Sequence, residues 1–142
     1  MKYLLLIVIS CLCSHVVYSQ AICLGEEKNY IRQIQKQAGN TFIESTIANS
    51  GNLIDVYGFN GSKNPQLIFY YDRNDTCRKY KIMMVRESAP DFIEHLKTQY
   101  RKIGDKDWIS NNNDVGIMMN IDDNNIVEFT FELVSDLKKG IY

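Results

Sequence analysis

The run Val115-Gly116-Ile117-Met118-Met119-Asn120-Ile121, Asp122-Asp123-Asn124-Asn125, Ile126-Val127-Glu128-Phe129-Thr130-Phe131-Glu132-Leu133 reads as a β-hairpin. Val115, Ile117, Met119 and Ile121 alternate with other residues, as do Val127, Phe129, Phe131 and Leu133. A period of two puts each set on one face of a strand. The four Asp and Asn residues between them bond readily to their own backbone and tolerate turn geometry.

The same alternation recurs upstream. Leu67, Phe69 and Tyr71 mark one strand, and Tyr80, Ile82 and Met84 another, with Lys79 and Lys81 on its other side. Asp72-Arg73-Asn74-Asp75 is the turn between them. Thr41 to Ser45 and Leu53 to Phe59 read as two earlier strands, and Trp108-Ile109 as a short later one. Two segments follow helical spacing instead. From Gly25 to Ala38, Leu24, Ile31, Ile34 and Ala38 recur on one side, Glu26 and Glu27 stand in the first turn, and Gly39-Asn40 ends the pattern. In the second, Ser88 is the expected cap and Pro90 fits the first turn. Phe92, Ile93, Leu96, Tyr100 and Ile103 form its apolar stripe, and Gly104 stops it. Ser135 to Tyr142 carries weak signals, for a short helix or a tail.

The order helix, about four strands, helix, three strands predicts an α+β fold, an antiparallel sheet with two helices packed on one face. Each half offers a helix, a closing glycine (Gly39 or Gly104), an aromatic (Phe42 or Trp108) and an apolar hairpin. Two pseudo-repeats of helix plus hairpin fit this, and so do two unrelated units of the same kind.

The N-terminus reads as an address. Lys2 precedes the short apolar run Tyr3 to Ile9, and Val17-Tyr18-Ser19 supplies modest residues before a cut at Gln20. Residues 1–19 are therefore expected to be a secretory signal and 20–142 a single α+β domain; a cut after Ala21 is the near alternative. The rival readings are an uncleaved anchor, interrupted by Ser10, Ser14 and His15, and lipid attachment at Cys11. Cleavage leaves about 122 residues, enough for one core and no membrane span. Of 16 basic side chains Lys2 leaves with the signal, so 15 face 17 acidic ones. That balance argues against nucleic acid, which calls for a basic patch. Cys23 and Cys77 remain, and in an exported domain they are expected to form a disulfide. It would close a loop of roughly 55 residues, contribute about 4 kcal/mol, and tie the entrance of the first helix to a central hairpin.

Chemistry is sparse. His95 alone survives the signal cut, so triad or dyad catalysis has one candidate base, on a helix beside Leu96. A minimal hydrolase using His95 with a carboxylate is the weakest reading. Asp72 with Asp75 and Asp122 with Asp123 lack the glycine and distal glutamate of a calcium loop and fall where turns are needed. No catalytic residue, metal ligand or cofactor site is assigned. Asn60-Gly61-Ser62 and Asn74-Asp75-Thr76 have the form of glycosylation acceptors. Tyr57, Phe59, Tyr70, Tyr71, Tyr80 and Trp108 are many rings for a short chain, and a face of the sheet left uncovered would suit a contact.

The ending Tyr18-Ser19-Gln20, the short mature domain and the run Cys77-Arg78-Lys79-Tyr80-Lys81 resemble the small exported proteins of unknown function of the Bacteroidetes type. The likeness implies a secreted or periplasmic location and no known activity. The helix-plus-sheet halves are similar in style to tandem-repeat inhibitors of the beta-lactamase-inhibitor type, with no site residue to carry over. The function expected is an exported, non-catalytic binding protein of the cell envelope or extracellular space. It would grip a protein partner through Tyr57, Tyr70 and Tyr80 on an aromatic sheet face. The alternative is a carrier of an apolar small molecule lined by Met83, Met84, Met118 and Met119. A purely structural envelope component is not separated from the first reading.

Overall fold

A computed structural model describes residues 23–62, 64 and 66–138. The signal segment with Cys11, both candidate cut positions and residues 139–142 lie outside the described residues. The chain runs α1 (Lys28–Gln37), β1 (Thr41–Ile47), β2 (Leu53–Gly58), β3 (Leu67–Tyr71), β4 (Cys77–Val85), α2 (Ala89–Gln99), β5 (Tyr100–Lys102), β6 (Asp107–Ser110), β7 (Val115–Ile121), β8 (Ile126–Leu133) and the short α3 (Val134–Leu137). Short 3-10 turns stand at Phe59–Gly61 and Arg86–Ser88. Among the described residues all strands join one eight-stranded sheet in the order β1-β2-β3-β4-β8-β7-β6-β5, every neighbouring pair antiparallel. The expected α+β antiparallel sheet is present, and the fold is mainly sheet. Helix followed by a four-stranded meander occurs twice, and the two meanders meet at β4 and β8.

Both predicted hairpin turns use one device. The Asp72 carboxylate accepts from the Asn74 and Thr76 amides at 2.8 and 3.0 Å. The Asp122 carboxylate accepts from Asn124 and Ile126 at 2.9 and 2.8 Å. The last turn residue, Asp75 or Asn125, has a positive φ of 58° or 65°, a conformation that Asn and Asp bear better than other side chains. These leading carboxylates are thus engaged by backbone.

The helices are shorter than the periodicity predicts. α1 begins at Lys28 because Glu27 is still extended and bridges Thr76 of the hairpin ahead. Its buried residues are Ile31 and Gln35, one turn apart, and Gln35 is satisfied by the Asn40 side-chain amide at 2.7 Å. Ser88 makes no side-chain cap. α2 stops at Gln99, not Ile103: Tyr100 adopts extended backbone and pairs with Ser110, so the end of the predicted stripe becomes β5 and Ile103 is exposed. Pairing with β6 and packing of the Tyr100 ring edge against Phe131, 6.4 Å between centroids, override helical spacing there.

Register pairing builds two rows on one sheet face. Asp55, Phe69, Tyr80, Phe131, Ile117 and Trp108 form one; Tyr57, Leu67, Ile82, Phe129 and Met119 form the other. With Phe42, which pairs with Tyr57 from β1, their rings make a chain across five adjacent strands, Phe42–Tyr57–Phe69–Tyr80–Phe131, with centroid separations of 5.4, 5.9, 5.8 and 4.5 Å. Ile31 of α1 and Ala89 and Leu96 of α2 belong to the same buried cluster, and Phe92 packs on Phe129 at 4.7 Å.

The core keeps some polar atoms without partners. The hydroxyls of Tyr57 and Tyr80 and the indole nitrogen of Trp108 are buried and make no hydrogen bond among the described residues. An unmade buried hydrogen bond costs about 1–3 kcal/mol. Tyr80→Phe is therefore expected to leave stability unchanged or raise it by about 1 kcal/mol. Tyr80→Ala, which opens a cavity between Phe69 and Phe131, should cost about 3–5 kcal/mol. Urea melts of the two variants check both signs.

Candidate interaction face

The opposite face is built by the intervening residues of the same strands. Val56, Ile68, Lys81, Thr130 and Met118 form one row, and Ile54, Tyr70, Lys79, Glu132 and Gly116 the next. Lys79 stands directly opposite Glu132, with Nζ 3.5 Å from Oε1. Lys81 stands opposite Thr130 and reaches diagonally to Glu128 at 2.8 Å. Opposite charges across a strand pair stabilise the sheet, here at the junction of its two halves.

Tyr70 lies over these lysines. The Lys79 ammonium is 4.8 Å from its ring centroid and that of Lys81 5.9 Å, both within cation–π range. Burial pushes the Tyr70 phenol upward in pKa; the Lys81 charge opposes this and Glu128 adds to it. Val56 and Glu132 are buried at 6% and 5% exposure, whereas Met118 is 45% exposed. The short α3 returns over this side at Gly116, where an added Cβ would stand 3.1 Å from the Leu137 methyl.

The three tyrosines assigned to an exposed face do not share one. Tyr70 is on the face just described and half-buried. Tyr57 and Tyr80 are corrected to the buried ring chain, at 2% and 0% exposure. Tyr57 is displaced by β2 pairing with β3, which aligns it with Leu67, and Tyr80 by its register with Phe69 and Phe131. The methionines divide likewise. Met84 and Met119 pack against the core, while Met83 pairs with Glu128 and Met118 with Thr130 on the Tyr70 side. Their side chains do not converge on one cavity, which leaves the carrier reading without its lining.

The expected Cys23–Cys77 disulfide is not formed in this structure; both sulfurs are buried thiols in one core cluster. Backbone performs the tie assigned to the bond. Gly25 N–H donates to the Cys77 carbonyl at 2.8 Å, and Cys77 N–H donates to the Glu26 carbonyl at 2.9 Å. Burial, then the nearby Glu26 charge, pushes the Cys23 thiol up to about 12, and burial pushes Cys77 up as well. Thiolate is the reactive form. In reduced protein at pH 8, both are expected to resist iodoacetamide until the chain is unfolded, as peptide mass mapping would show.

A polar cluster missed by pattern reading fixes α1 to the sheet. Asp55 is fully buried; Arg32 donates to it from Nε at 2.7 Å and from Nη2 at 2.8 Å, and the Ser45 hydroxyl donates at 2.7 Å. Burial alone would raise the Asp55 pKa, but the Arg32 and Ser45 hydrogen bonds and the Arg32 charge more than offset this, so it is lowered. Its isolated charge in β2 carried no periodic signal.

His95 has a buried Nε2 with no hydrogen bond among the described residues. No group of three or more His, Cys, Asp or Glu among the described residues is arranged to hold a metal. The side chains of Asn60 and Asn74 are exposed, in the turns their composition suggests. No described helix is long and apolar enough to cross a membrane.

A carboxylate with a folded pKa below its unfolded value stabilises the fold above the unfolded value, about 4, and loses that contribution as pH falls through the folded one. Wild type should therefore lose stability on acidification below about pH 4, and Asp55→Asn should flatten that part of the profile. Arg32→Met should cost about 2–3 kcal/mol at pH 7, less than a fully dry pair, because Arg32 keeps 39% side-chain exposure. Thermal melts across pH check both.

Comparison with protein-family models, with curated proteins and with solved structures finds no match for this chain.

Proposed function

We infer that this chain is an exported, non-catalytic binding domain whose Tyr70 face docks a protein partner. The observation that carries the reading is Tyr70 itself, a ring held against two paired lysines on a sheet face. Side chains so braced lose little freedom on binding, and tyrosine supplies amphipathic contact area. Ile68 and Met118 extend it with apolar surface. Because Lys79, Lys81, Glu128 and Glu132 neutralise one another, the face suits a mixed apolar and polar protein surface better than a highly charged ligand.

Both helices are read as packed on the Tyr80 side, which would leave the Tyr70 side for the partner. Arg32 reaching Asp55 and Phe92 reaching Phe129 support this, since both targets lie in the buried rows. The doubled helix-plus-meander order also supports two pseudo-repeats and the likeness to tandem-repeat inhibitors. The export signal, read from residues 1–19, supports action in the periplasm or outside the cell.

A photo-crosslinking residue at position 70, introduced in the producing cell, tests the reading against the same residue at Tyr30, exposed on α1. Expected are discrete protein adducts from position 70 and none from position 30. Tyr70→Ser should keep the fold and weaken the captured complex about 30-fold, the loss of a contact worth about 2 kcal/mol. Adducts equal at both positions, or affinity unchanged in Tyr70→Ser, would overturn it.

A further inference from the structure

Among the described residues the sheet ends in two unlike edges. β5 has three residues, Tyr100-Arg101-Lys102, of which two are basic and exposed, a usual means of blocking an edge. β1 has seven residues, Thr41 to Ile47, and Glu44 is its single charge. It has a described strand on one side only, and its Ile47 and Phe42 side chains are 70% and 50% exposed.

Which backbone groups face outward follows from the hairpin. Ala48 N–H donates to the Asn52 carbonyl, and the register then runs Thr46↔Ile54 and Glu44↔Val56. Hydrogen-bonded pairs alternate in an antiparallel ladder, so Ser45 and Ile47 direct their N–H and C=O away from β2. The segment Ile43-Glu44-Ser45-Thr46-Ile47 is symmetric about Ser45 in its pattern of apolar ends and polar middle, with one carboxylate, Glu44, mirrored by the neutral Thr46. An antiparallel copy centred there sets Ser45 opposite Ser45, Ile43 opposite Ile47 and Glu44 opposite Thr46, without a like-charge contact. A centre at Glu44 would oppose two carboxylates, and Glu44 and Thr46 already direct their backbone groups at β2. The bulge falls on Ile43, which has no partner in β2, so Glu44 to Ile47 is the regular part of the edge and Ile43 would meet Ile47 of the other copy from the bulge. The Ser45 hydroxyl stays on Asp55, because edge pairing uses backbone.

We propose that β1 pairs antiparallel with β1 of a second copy of this chain about a two-fold axis at Ser45, fusing two sheets into one. The contact is isologous, the same patch serving on both subunits. It covers Ile47 and is independent of the Tyr70 face as a partner site.

Sedimentation of the full mature chain between about 1 and 100 μM tests this, with typical self-association weakening as tenfold steps of about 1.4 kcal/mol. Wild type should show a monomer–dimer equilibrium. Thr46→Glu sets carboxylates opposite Glu44 at two symmetric places and should weaken the dimer at least tenfold. Adding Glu44→Lys to that variant restores opposite charges and should restore the dimer. Circular dichroism confirms that each variant keeps its fold. A wild-type monomer at the highest concentration, or a dimer indifferent to Thr46→Glu, would overturn the proposal.

Discussion

The pairing of β4 with β8 is the interaction on which the rest of the structure depends. Hairpins within each meander join residues close in sequence, whereas this seam joins Lys79 to Glu132 and Val85 to Ile126. Closing such a loop costs entropy before any contact is gained, so the seam must hold on both sides of the sheet. On one side the Tyr80 and Phe131 rings stack at 4.5 Å with an interplanar angle of 11°. On the other, Lys79–Glu132 and Lys81–Glu128 cross it. The buried stack contributes apolar burial, and the partly exposed ion pairs contribute register.

Local features were legible because local physics sets them. The Val115–Leu133 hairpin is present with its turn at Asp122–Asn125, and the Asp72–Asp75 turn matches it bond for bond. Helix ends were less legible. Tyr100 continues the apolar spacing of α2, and only the partner strand at Asp107–Ser110, several residues on, makes it a strand instead. Alternation also separated Tyr70 from Leu67, Phe69 and Tyr71, and Lys79 and Lys81 from Tyr80. It could not say which of the two sets is covered, since that depends on which strands and helices meet.

The candidate face was therefore visible in one residue of three. Tyr70 was found by strand parity; Tyr57 and Tyr80 were lost because a tyrosine in a strand is as suited to a core as to a surface. The Lys–Glu crossings needed the β4–β8 neighbourhood, a pairing of segments more than forty residues apart that no local pattern encodes. Asp55 is similar: it sits among apolar strand residues with a partner, Arg32, supplied from another element.

The short 3-10 turn at Arg86–Ser88 has a consequence for assembly. It leads from β4 directly into α2, so the second meander is tethered to the first within one chain. The two strands of the seam therefore meet at an effective concentration fixed by the connecting chain, not by the amount of protein in solution. Dilution does not separate the halves, and a contact that would be a reversible dimer between two separate modules becomes here a permanent interior of the molecule.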